Sequence, residues 1–208
     1  MDGLLVDSEP VWMQAETQLL TARGKVLDMT TREKLVGLRT DEFIGQFRQI
    51  YALAEDVATL NAECSGYMLD MIPTHVKPKP GAAELLAYIT EQRIPSAIAS
   101  SSPLAIIEAV VKSQGWGNVL RTRVSADSVA KGKPAPDVYL KAAELLGVDP
   151  RDCLALEDSP NGARAAVAAG MVCYAVPDAA HTRASAFDDI TNYVFDSLYD
   201  VLSQLCEC

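Results

Sequence analysis

The run Lys77-Pro78-Lys79-Pro80-Gly81 divides the chain into two stretches of different periodicity, and no single secondary-structure class satisfies both. Before it, from Pro10 to about Thr74, apolar residues recur at helical spacing. One stripe is Val11, Ala15, Leu19 and Leu20, ending near Gly24; a second is Phe43, Phe47, Ile50 and Tyr51; a third is Val57, Leu60, Cys64, Tyr67, Met68 and Met71. Pro10 suits a first helical turn, where its missing N–H would have no partner anyway. After the run, short apolar segments alternate with amphipathic ones. Strands are predicted at Pro95–Ser100, Arg121–Ser125, Cys153–Leu156, Val172–Val176 and Tyr193–Phe195. Helices are predicted at Ala82–Gln92, Leu104–Gln114, Pro136–Leu146, Asn161–Ala169 and Ser197–Leu205.

Strands separated by helices imply a parallel sheet covered on both faces, with ligands beyond the carboxyl ends of the strands. The polar residues that end those strands are therefore the candidates for function. The 208 residues allow one large core, or one core with a smaller accessory domain.

Charge narrows the partners. A net charge of -10 disfavours nucleic acid or an anionic membrane as partner, since both need clustered Lys and Arg, and fits a small diffusible substrate better; a monomer is expected. Neither a membrane span nor a signal peptide is expected. The five cysteines, Cys64, Cys153, Cys173, Cys206 and Cys208, are odd in number and lack zinc spacing. They indicate a reduced, cytoplasmic setting, with Cys206 and Cys208 as exposed thiols of a frayed tail. Gly115-Trp116-Gly117 lacks the later glycine of a dinucleotide fingerprint.

Four segments place phosphate or metal chemistry at strand ends. Asp2-Gly3 with Asp7-Ser8 opens the chain. Ser100-Ser101-Ser102-Pro103 follows an apolar run, and Ser100 can offer its hydroxyl to a phosphate oxygen or cap the next helix. In Gly132-Lys133-Pro134-Ala135-Pro136-Asp137 the prolines stiffen a loop whose Lys133 can meet a phosphate, or merely solvate a helix start. Leu154-Ala155-Leu156-Glu157-Asp158-Ser159 ends an apolar strand in adjacent carboxylates. These offer hard oxygens to Mg²⁺, with Asp158 the preferred direct ligand and Glu157 direct or through water, or else an acidic helix start.

In order and spacing these four segments resemble the motifs of the haloacid-dehalogenase-like (HAD) hydrolases, in the β-phosphoglucomutase-like, sugar-phosphatase branch. The resemblance implies an α/β fold: a Rossmann-like parallel sheet core, residues 1–9 and 75–208, with an inserted α-helical cap, residues 10–74. It implies that Asp2 acts as general acid and base, and that Ser100, Ser101 and Lys133 bind phosphate. Asp2, Glu157 and Asp158 are implied to hold Mg²⁺. The family's nucleophilic Asp is expected directly before Met1, at the end of the first core strand, so turnover by the 208 residues alone is not expected.

Within the cap, Leu35-Val36-Gly37-Leu38-Arg39-Thr40 resembles a substrate-facing loop. Arg39 is a candidate for a sugar hydroxyl or distal phosphate, with a solvated arginine as the alternative. Trp12 is a candidate substrate contact, with core packing as its alternative. His75 and His181 match no motif.

The expected function is Mg²⁺-dependent hydrolysis of small phosphorylated metabolites, hexose or deoxyhexose monophosphates foremost, through an aspartyl-phosphate. Trp12, where mutase-like members carry His nearby, favours a phosphatase over a sugar phosphomutase. A non-catalytic phosphometabolite-binding protein is the alternative of a different class.

Overall fold

The computed structural model describes residues 1–35, 38–178 and 182–207; Val36 and Gly37 of the expected cap loop, His181 and Cys208 lie outside them. After β1 (Val6–Asp7) come four helices: α1 (Glu9–Thr21), α2 (Met29–Glu33), α3 (Thr40–Ile50) and α4 (Val57–His75). The chain then passes through β2 (Lys77–Pro78) and α5 (Ala82–Glu91) into β3 (Ala97–Ser100), α6 (Leu104–Ser113) and β4 (Thr122–Ser125). It ends with α7 (Asp137–Leu146), β5 (Leu154–Glu157), α8 (Pro160–Ala168), β6 (Val172–Ala175) and α9 (Leu198–Cys206).

Local chemistry sets these boundaries. Pro10 lies in the first turn of α1, and Asp56 caps α4 by accepting from Thr59 N at 2.7 Å. The three helical stripes become one core, in which Leu19, Leu20, Phe47, Leu60, Met68 and Ile72 are fully buried against Ile106 and Val110 of α6. Ile50 departs from its stripe: it is half exposed because α3 ends there.

The sheet consists of two parallel pairs. In one, Ala97 to Ser100 stand opposite Thr122 to Ser125; in the other, Leu154 to Glu157 stand opposite Val172 to Ala175. Among the described residues the two pairs are not hydrogen-bonded to each other. The core around β5 and β6 is rich in alanine, with Ala142, Ala143, Ala155, Ala163, Ala165 and Ala166 all buried.

Two expectations change. Tyr193–Phe195 contributes a single bridge, Val194 opposite Ala175, because Ser197 caps α9 two residues later and turns the chain away. The Lys77-Pro78 breaker pairs antiparallel with β1, Val6 opposite Pro78 and Asp7 opposite Lys77. A proline is tolerated there because the ladder is only two residues long. Cys64, Cys153, Cys173 and Cys206 are free thiols. No helix among the described residues is long and apolar enough to cross a membrane.

Candidate active site

The carboxyl ends of β3 and β5 open on one cavity of about 850 Å³, lined by Asp2, Ser100, Ser101, Ser102, Lys133, Glu157 and Asp158. Residues of α1, the α2–α3 connection and α3 line it too: Trp12, Leu38, Thr40, Phe43 and Ile44. Five of the predicted polar residues, from four separate segments, thus converge with Asp158 at one place.

Each is held by specific partners. The Asp2 carboxylate accepts from Ser8 Oγ at 2.5 Å and from Ser102 Oγ at 2.8 Å. Gly3, beside it, has φ of +70°, and a Cβ there would lie 2.1 Å from Asp158 Oδ2. Only glycine allows both the left-handed turn and the approach of Asp158. Ser100 is 4% exposed, and its Oγ accepts from Ser102 N at 3.2 Å, leaving its own proton for a ligand oxygen. It does not cap α6, whose cap position is Pro103.

Lys133 is equally constrained. Its Nζ donates to Ala99 O at 3.1 Å and to Glu157 Oε1 at 2.5 Å, and it stands 5.0 Å from the centroid of the Tyr139 ring. An ammonium has three protons, so one remains for a third acceptor. Glu157 Oε1 also accepts from Tyr139 Oη at 2.5 Å, and Oε2 from Ser159 Oγ at 3.2 Å. A Cβ on Gly162 would lie 2.0 Å from this carboxylate, so α8 can start where it does only with glycine at that position.

The electrostatics separate the two adjacent acids. Burial alone would raise Glu157, but the Lys133 charge and the hydrogen bonds from Lys133 and Tyr139 hold it below its ordinary value. Asp158 is pushed up to about 7 by burial and by the neighbouring Glu157 charge. Burial and the Glu157 carboxylate also raise the Tyr139 phenol.

The three carboxylates expected to hold a metal, Asp2, Glu157 and Asp158, all line the cavity. Among the described residues no group of three metal-binding side chains forms. Asp2 is engaged by two serines and Glu157 by Lys133, Tyr139 and Ser159. Asp158, buried next to a like charge, is the carboxylate whose surroundings most favour an added cation. One carboxylate with water and substrate oxygens is a donor set that suits Mg²⁺.

Two other expectations resolve by position. Arg39 does not line the cavity: it pairs with Asp41, Nη2 to Oδ2 at 2.5 Å, and its neighbours Leu38 and Thr40 form the wall instead. Trp12 both packs in the helical core and lines the cavity. Ser8, Ser102 and Tyr139 carry roles that sequence reasoning missed. Ser8 and Ser102 each stand within a recognised segment, but only folding shows that both reach Asp2; Tyr139 reads as one more apolar residue of α7.

A model of the haloacid dehalogenase-like hydrolases matches residues 1–176. Hexitol phosphatase B of Escherichia coli (strain K12) is 36% identical over 185 residues, covering 85% of this chain and 81% of that protein. The bifunctional riboflavin kinase/FMN phosphatase of Arabidopsis thaliana is 34% identical over 200 residues, 94% of this chain and 52% of that protein. This chain therefore spans about half of that longer relative. Among solved structures, CbbY from Rhodobacter sphaeroides in complex with phosphate superposes with a TM-score of 0.85 at 25% identity, covering 97% of this chain and 93% of that one. Family model and relatives agree: the chain belongs to the haloacid dehalogenase-like hydrolases, among the phosphoric monoester hydrolases.

Proposed function

We propose that this protein hydrolyses small sugar monophosphates, hexose or deoxyhexose phosphates foremost, with Mg²⁺ and through an aspartyl-phosphate. The observation that carries this reading is the convergence of Asp2, Ser100, Lys133 and Asp158 on one cavity whose far wall belongs to the helical segment. That segment acts as a cap over the substrate.

In this mechanism Ser100, Ser101 and the third proton of Lys133 hold the phosphoryl oxygens. As an attacking carboxylate bonds to phosphorus, the bond to the leaving oxygen breaks and Asp2 gives that oxygen a proton. Water then attacks phosphorus, Asp2 takes its proton, and the acyl phosphate releases inorganic phosphate. Ser8 and Ser102 keep the Asp2 carboxylate aimed during both steps. Asp158, with Asp2 and Glu157 nearby, would hold Mg²⁺, which would supply charge withdrawal from the phosphoryl oxygens.

Phosphate release from a panel of sugar phosphates, by the 208-residue chain and by one extended with an apolar strand ending in Asp, tests the proposal. The extended chain is expected to turn over with Mg²⁺ and to stop on chelation. Asp2→Asn is expected to slow it by roughly 10²–10⁴-fold. Hydrolysis that is indifferent to Asp158→Asn or to metal removal would sink the assignment. Binding of sugar phosphate without turnover by either chain would instead favour a non-catalytic binding protein.

A further inference from the structure

Opposite the phosphate-holding floor, the helical half contributes a wall of buried charge that the reaction steps above do not use. Glu9 and Glu16 stand seven residues apart on α1 and so share one helix face. Arg32 reaches both from α2: its Nη2 donates to Glu9 Oε2 at 3.0 Å and to Glu16 Oε1 at 3.2 Å, and its Nε donates to Glu16 Oε2. Arg32 and Glu16 are each 3% exposed, and the Glu9 side chain is 18% exposed. All three line the cavity beside Trp12 and Phe43.

As a purely structural device this cluster is expensive. Buried ion pairs seldom stabilise more than apolar residues of the same volume. Here two carboxylates share one guanidinium, and Glu16 is pushed up to about 7 by burial in spite of its hydrogen bonds from Arg32. Carboxylates on a cavity wall do have a use toward a ligand. Each offers about four acceptor sites, more than Arg32 occupies, and sugar hydroxyls need acceptors once they leave water. Arg32 offsets one of the two acids, so the cluster gains a net negative charge as Glu16 ionises above about pH 7, and that charge repels an anion in a site sheltered from solvent.

We infer that Glu9, Glu16 and Arg32 recognise the hydroxylated end of a monophosphorylated sugar or polyol, and that this wall discriminates against a second phosphate. The inference rests on the reading that the opposite floor holds the first phosphate. It selects monophosphates over the bisphosphates that a mutase would need.

Calorimetric titration of the 208-residue chain in Mg²⁺ at about pH 8, where Glu16 is ionised, using inorganic phosphate, sorbitol 6-phosphate and fructose 1,6-bisphosphate, tests it. The wild-type chain is expected to bind sorbitol 6-phosphate at least about ten-fold tighter than phosphate, and the bisphosphate no tighter than phosphate. In Glu9→Gln and Glu16→Gln the ratio of sorbitol 6-phosphate to phosphate affinity is expected to fall about ten-fold, while the corresponding ratio for the bisphosphate rises. Glu9, the less buried of the two acids, keeps the experiment decisive if Glu16→Gln fails to fold. No phosphate binding by the wild-type chain would sink the phosphatase reading itself. Phosphate binding without a preference for sorbitol 6-phosphate, or with a preference that survives Glu9→Gln, would overturn the recognition wall alone.

Discussion

Two buried ion clusters border one cavity, and they are set in opposite kinds of packing. On the sheet side, Glu157, Lys133 and Tyr139 sit among alanines, and α8 comes so close that Gly162 has no room for a methyl group. On the helical side, Glu16 and Arg32 sit among large side chains such as Trp12, Leu19, Phe43 and Phe47. Alanine packing brings backbones together and fixes geometry, whereas large side chains can be exchanged for others of similar volume. The difference teaches a division of labour. On the proposed reading, groups that hold the phosphate and must be placed to within about half an ångström belong on the side that cannot yield, and groups that choose a substrate belong on the side that can be re-cut.

The sharpest way to break this contrast is Lys133→Met. It strands a buried Glu157 carboxylate without its cation, and denaturant unfolding is expected to show a loss of about 3–5 kcal/mol. Retained stability would mean that the sheet side is less rigid than its packing indicates.

Next comes the pH dependence of the helical side. The Glu16 carboxyl has a folded value of about 7 against an ordinary 4.5, so between these pH values the folded state holds a proton that the unfolded state has released. Its contribution is therefore most favourable below about pH 4.5 and is lost as pH rises toward 7, on the order of 3 kcal/mol in all. Unfolding curves across that window should show this fall in the wild-type chain and a flatter profile in Glu16→Gln.

Gly162→Ala probes rigidity directly. With the new methyl group 2.0 Å from the Glu157 carboxylate, α8 or the carboxylate must shift, at an expected cost of about 1–3 kcal/mol. A neutral result would show that β5 and α8 can part freely. The smallest effect is expected from Arg39→Ala, whose pair with Asp41 is only partly shielded from solvent, with side chains 21% and 39% exposed. A thermal melt should place the change under about 1 kcal/mol.

Legibility from sequence follows the same division. The sheet-side site could be read because strand ends are local: an apolar run stops, and the next polar residue is at the site. Ser100 and Asp158 were read this way, whereas Lys133 was read from the proline-stiffened Lys-Pro-x-Pro-Asp loop well beyond β4. The helical-side cluster was not, because Glu16 and Arg32 meet across sixteen residues and a loop, and no periodicity encodes which guanidinium reaches which acid. A signal was nonetheless present. Glu9 and Glu16 fall in register with Trp12, Leu19 and Leu20, so acids interrupt a face that is otherwise apolar. The β1–β2 pairing was hidden for another reason: a proline-rich run reads as a break, and only the fold reveals that a break can carry two ladder positions.

That short ladder governs how the two halves can move. The chain crosses between them twice, at Val6–Asp7 and at Lys77–Pro78, and the crossings lie side by side, with Lys79 N donating to Leu5 O at 2.9 Å just beyond the paired residues. Two antiparallel straps stitched together behave like the leaf of a door hinge rather than like a ball joint. Bending across the straps leaves their hydrogen bonds intact, while twisting would shear them. Any swing of the helical segment would have to bend across these straps and also part the helical core from Ile106 and Val110 of α6.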